Sequence, residues 1–157
     1  MKKKLGAGLL LMLLCVAMLS GCGSKEETRL GFVHMDGDVL YFDEVEWITS
    51  EDTERMKELG LSEDDMMDGY YIYNEKEEDE ALRTNESTSY TFYDWNALFV
   101  EATDEESYSI EKMLYTTKSA EEFKQDLDAF GEIAAGIPFW VTTKGKYVLE
   151  VKEQYIP

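Results

Sequence analysis

Thirty-four carboxylates, a single histidine and two cysteines set the chemistry open to this 157-residue chain. With His34 as the only histidine, a zinc centre built on two imidazoles is excluded. A Ser-His-Asp triad could run only through His34, which lies beside a tight-turn sequence, and there is no Gly-x-Ser-x-Gly elbow to present a serine. No glycine-rich phosphate loop or dinucleotide fingerprint is present, so no cofactor is implied. A retaining glycosidase needs two carboxylates about 5 Å apart; so many acids reach that spacing by chance, and their abundance argues for no hydrolase. No residue is assigned a catalytic role. The expectation is a non-enzymatic binding module, with a carboxylate-dependent envelope hydrolase and an accessory subunit of a membrane complex as the competing classes.

Two groups remain as binding candidates. Asp64, Asp65 and Asp68 place several oxygens in one short loop and make a weak calcium candidate, though the spacing is not that of an EF-hand and a capped acidic turn is the simpler reading. The aromatic sets Tyr70-Tyr71-Ile72-Tyr73 and Tyr90-Thr91-Phe92-Tyr93-Asp94-Trp95 put rings on both faces of extended segments. Rings left outside the core can stack on a sugar or a peptide. Tyr71, Tyr73, Tyr93 and Trp95 are the candidates for that role, against the alternative that all these rings fill a core short of aliphatic residues.

The elements that position these groups read as strands and two helices. Leu30 to Thr49 is expected to be a hairpin about Asp36-Gly37, its return strand leaving the core part-way where Glu44 and Glu46 replace apolar residues. Thr49 to Gly60 reads as a short, mostly exposed helix capped by Thr49 or Ser50. Gly69 to Asn74 is a strand, Glu75 to Glu80 a solvated hairpin tip, and Ala81 to Tyr93 extended. Residues 94–118 give no clear pattern. Ser119 and Glu122 form a capping box, and Phe123, Leu127 and Phe130 make one helix face before Gly131. Ile137 to Val151 reads as a second hairpin, turning at Lys144-Gly145. The fold class is α+β: a small antiparallel sheet or open OB-like barrel with two helices.

The chain begins Met1-Lys2-Lys3-Lys4, continues with an apolar run of about 14 residues and ends that run in small residues, the pattern of a secretory signal. The run is shorter than the roughly 20 residues of a membrane-spanning helix. Its end, Leu19-Ser20-Gly21-Cys22, resembles the lipobox of bacterial lipoproteins. That resemblance implies a diacylglyceryl group on the Cys22 thiol and cleavage before Cys22, so residues 1–21 are expected as a signal, 22–29 as a flexible tether and 30–157 as one acidic α+β domain. Two acyl chains at about 0.8 kcal/mol per buried methylene anchor stably, which would hold the protein on the extracytoplasmic face of the cell membrane. Cys15 would leave with the signal and Cys22 is consumed, so no intrachain disulfide is expected. Further blocks resemble an uncharacterised group of secreted and lipid-anchored proteins of Gram-positive bacteria: Glu46-Trp47-Ile48-Thr49, Glu58-Leu59-Gly60-Leu61, Gly69 to Asn74, Pro138 to Thr142 and Glu153 to Pro157. It implies an extracytoplasmic setting and no activity.

The first 21 residues carry three of the 15 basic residues and none of the 34 acids, which leaves a net charge of −22 on the remainder. Such a body repels nucleic acid and anionic headgroups and attracts cations. The expected partners are the membrane through lipidated Cys22, and a cationic peptide, a protein or a glycan. Nucleic acid is not among them.

Overall fold

The computed structural model describes residues 24–66, 68–100 and 109–156. The expected signal and Cys22 lie outside the described residues, as does the stretch 101–108 within the region that gave no clear pattern. Among the described residues no helix is long and apolar enough to cross a membrane.

The fold is α+β. The chain order is β1 (Glu26–Asp36), β2 (Val39–Glu44), β3 (Glu46–Thr49), α1 (Thr53–Leu59), β4 (Tyr70–Tyr73), β5 (Asp79–Arg83), β6 (Ser89–Tyr93), β7 (Leu114–Thr117), α2 (Ala120–Phe130), β8 (Pro138–Lys144) and β9 (Tyr147–Glu153), with short 3-10 turns between some of them. Seven strands form one sheet in the order β5-β2-β1-β8-β9-β6-β7, and β3 and β4 form a separate pair. The sheet curls until β5 meets β9 at one bridge, Arg83 opposite Tyr147. A single bridge does not close a barrel. The sheet is also mixed rather than antiparallel, because β6 runs parallel to β9.

Both expected hairpins form. The first turns on Gly37 and Asp38, between the paired residues Asp36 and Val39, and Gly37 takes the positive φ of 57° that the turn requires. The strand before it starts at Glu26: Glu26 to Arg29 pair with Val141 to Lys144 of β8, so these four residues belong to the sheet and not to a tether. The return strand does leave the core, at Val45. Its continuation, β3, pairs with β4 and packs Ile48 with Met56 and Met66 into a second small cluster. This corrects the expected tip at Glu75 to Glu80. β4 pairs with β3 and β5 with β2, so the segment between them crosses from one sheet to the other.

The helices differ from expectation at their caps. α1 starts after Asp52, whose carboxylate turns back to accept from the Thr49 amide at 2.8 Å and hydroxyl at 2.9 Å. In α2 the Ser119 hydroxyl accepts from the Glu122 amide at 3.2 Å. The reciprocal half of the capping box is replaced, because the Glu122 carboxylate takes the Tyr115 hydroxyl instead, at 3.1 Å. α2 lays Phe123 and Leu127 on the inner face of the curled sheet, among Tyr90, Phe92, Phe139, Val141 and Val151. Tyr90, Phe92, Phe123 and Phe139 are almost wholly removed from water. Burial at this level contributes roughly 1.5–3 kcal/mol per large apolar side chain.

Candidate functional site

The break at Val45 opens a cleft of about 570 Å³ between the main sheet and the β3–β4 pair. That size is in the range of ligand sites, about 300–1,000 Å³. Phe42, Val45 and Tyr73 supply its apolar surface. Arg29, Glu44, Glu46, Arg55, Glu75, Lys76, Glu78 and Glu80 supply the rest.

Each arginine in the cleft is already held by acids. Arg29, on β1, lies over the Phe42 ring at 4.8 Å. It donates to Glu80 at 2.7 Å and to Glu44 at 3.1 Å. Burial works against its charge, and the bonds it donates to Glu80 and Glu44 more than offset that, leaving its pKa above the usual value. Both oxygens of Glu80 are engaged, because the other one accepts from Lys146 at 2.7 Å. Those bonds hold the Glu80 carboxyl below its ordinary pKa. Arg55, on α1, forks onto both oxygens of Glu46 at 2.9 Å each and reaches Glu58 at 2.9 Å. Two-point pairing of this kind fixes direction as well as adding energy. Its guanidinium also lies 5.5 Å from the Tyr73 ring centre.

The remaining acids of the lining, Glu75 and Glu78, are exposed. Asp43 of β2 accepts from the Asn74 side chain at 2.7 Å and from the Glu78 amide at 3.2 Å. It thereby stitches the crossing segment, with exposed Glu75 and Glu78, to the cleft rim. Neither Glu75 nor Glu78 has an ion-pair partner among the described residues. The cleft thus combines two neutralised arginines with Glu75, Glu78 and Lys76, none of which has an ion-pair partner among the described residues, so carboxylate exceeds free cation two to one there.

The four aromatic candidates separate. Tyr71 and Tyr73 both pack on the small cluster of Ile48, Met56 and Met66, and of the two Tyr73 also lines the cleft. Tyr93 and Trp95 stand elsewhere, at the end of β6, with ring centres 5.9 Å apart, and Tyr155 joins them at 5.6 Å from Tyr93. Trp95 is 43% exposed, and its indole N–H points to Glu153 at 3.4 Å. The core reading therefore holds for Tyr90 and Phe92 and fails for Trp95.

The calcium candidates do not converge. Asp65 spends one oxygen on the Ser62 amide at 2.8 Å and hydroxyl at 2.7 Å, as a turn cap. Those bonds lower its pKa. Asp64 and Asp68 are exposed. Among the described residues no group of three or more His, Cys, Asp or Glu side chains is spaced to hold a metal ion. His34 is exposed and stacked on Tyr41, its partner across the strands, at 4.6 Å.

Sequence reasoning missed the cleft acids as a set. Arg29 and Glu80 are far apart in the chain and meet only through β1, β2 and β5. The one local signal was the change from apolar to acidic residues at Glu44 and Glu46, which marks where the strand leaves the core. No protein-family model, curated protein or solved structure matches this chain.

Proposed function

We propose that this chain is a lipid-anchored, extracytoplasmic binding module that receives a cationic segment of a peptide or protein in the cleft between its two sheets. The observation that carries the reading is the state of the cleft's charges: Arg29 and Arg55 are each bound by two glutamates, while Glu75 and Glu78 stand open at the rim. An incoming lysine or arginine side chain would meet the carboxylates of Glu75 and Glu78, with Lys76 between them as the one cation of the lining that no described acid pairs. A glycan is the weaker fit, since the Tyr73 ring in the cleft is already faced by Arg55. The anchor rests on the Leu19-Ser20-Gly21-Cys22 resemblance, and the tether would be shorter than residues 22–29, because the sheet begins at Glu26. No catalytic step is assigned to any residue.

Calorimetric titration with a lysine-rich peptide tests the cleft. Each exposed ion pair is worth up to about 1 kcal/mol, so the double change Glu75→Gln/Glu78→Gln should weaken binding roughly tenfold. Affinity should fall with added salt. The same loss of charge at Glu51→Gln/Glu54→Gln, exposed residues in the turn before α1 and in its first turn, should cost much less. Equal effects from both pairs would reduce the interaction to bulk attraction and remove the cleft from it.

A further inference from the structure

Several strand ends of the main sheet meet around one tight turn. β8 and β9 turn at Gly145 and Lys146, between the paired residues Lys144 and Tyr147. Glu26, the first residue of β1, pairs with Lys144. Ser24 reaches the turn itself: its hydroxyl oxygen stands 3.3 Å from where a Cβ on Gly145 would be. β5 arrives at the same place, with Arg83 opposite Tyr147 and its amide donating to the Lys146 carbonyl at 2.8 Å.

Four exposed cations gather there: Lys25, Arg83, Lys144 and Lys146. Lys144 lies 3.6 Å from Glu26, and Lys146 lies 2.7 Å from Glu80. Lys25 and Arg83 have no acid partner among the described residues. The other acids close by are Glu27 on β1, Asp38, whose carbonyl holds Thr84, and Glu86, in the turn that Thr88 fastens to Val148. This end is therefore close to neutral, on a body that carries −22 over residues 22–157. Tyr147 stands half exposed on the same turn. Glu80 also holds Arg29, so the cleft begins at this end.

We propose that, given the anchor proposed for Cys22, this turn is the surface on which the body rests against the membrane. Lys25, Arg83, Lys144 and Lys146 reach lipid phosphates, Tyr147 lies at headgroup level, and the acidic remainder is held outward. Chain length carries the placement. Two residue steps join Cys22 to Ser24, at most about 7 Å of backbone, and the headgroup layer of one leaflet is itself about 5–7 Å deep. Acyl chains on Cys22 therefore bring Ser24, and the turn it touches, to the headgroups. β9 leads away from the turn for about 20 Å to Glu153, so the other end of that strand is out of reach. Repulsion between the acidic body and an anionic leaflet is screened over about 8 Å at physiological salt. Only the nearest end is felt, and there the charge is close to balanced. Lysine stems can extend while their ammonium heads stay among polar groups, and a tyrosine ring suits the boundary between apolar and wet surroundings.

The test uses the full chain, lipidated on Cys22, in vesicles of phosphatidylglycerol and phosphatidylcholine that carry a spin label on the headgroup. A fluorophore is attached at Tyr147→Cys or at Tyr155→Cys, beyond the other end of β9; acylation of Cys22 leaves no second free thiol. Quenching at the first position should exceed quenching at the second severalfold. It should fall at least twofold when an uncharged galactolipid replaces both phospholipids, and likewise in Lys25→Gln/Lys144→Gln/Lys146→Gln. Equal quenching at both positions, on a chain whose Cys22 is acylated by mass spectrometry, would overturn this surface and leave the anchor standing. Strong quenching at the first position that ignores both the galactolipid and the triple change would overturn the phosphate contacts. Unacylated Cys22 in protein recovered from membranes would overturn the anchor, and this surface with it.

Discussion

Gly31 has no side chain because Phe42 needs the space. A Cβ there would overlap the Phe42 ring and the Asp43 carbonyl oxygen, and the same ring carries Arg29 on its face. Gly31→Ala should destabilise the protein by about 1–3 kcal/mol, the usual cost of overpacking, with an unfolding midpoint in urea as the readout. Asp126 makes the opposite case. Its pKa is about 7 in the folded protein, against about 3.9 in an unfolded chain. The folded state therefore keeps a proton that the unfolded state gives up, and stability falls as pH rises from about 4 to about 7. Asp126→Asn removes that dependence and should be more stable than the wild type at pH 8, by about 2–4 kcal/mol, in thermal melts. Asp126 was legible in principle, since it borders the Phe123, Leu127 and Phe130 stripe at helical spacing. An acid at the edge of an apolar stripe ordinarily reads as the start of the wet face, and only its burial, with no hydrogen-bond partner for either oxygen among the described residues, gives it another meaning.

Among the elements, those whose partners are near in sequence could be read from the chain. The two hairpins and α2 announce themselves by turn residues, alternation and a cap. Ser119→Ala should cost about 1 kcal/mol, measured by chemical denaturation, since only the serine half of the capping box forms. What could not be read is pairing between distant segments. β6 joins β9 in parallel, and β5 meets β2 across α1 and β4; neither leaves a local pattern. The tip expected at Glu75 to Glu80 failed for this reason. Two strands with a short charged link resemble a hairpin in one dimension, and only the pairing of β3 with β4 shows that the link changes sheets. The cleft exists because of that change, so the candidate site was less legible than the strands that build it.

At the scale of the whole molecule, two attractions are proposed to act together: acyl chains hold one end to the membrane, and the acidic body gathers cations. Cys22→Ala should abolish incorporation of labelled fatty acid and release the protein from the membrane fraction, while its affinity for a lysine-rich peptide stays unchanged. With −22 on residues 22–157, general attraction to any polycation is expected, and the distinguishing property is where the cation settles. Amide chemical-shift mapping during titration with a lysine-rich peptide at physiological salt reads that location directly. Saturable shifts gathered at Arg29, Glu44, Tyr73, Glu75 and Glu78 are the predicted result. Weak, non-saturating shifts spread evenly over the acidic surface would contradict the account.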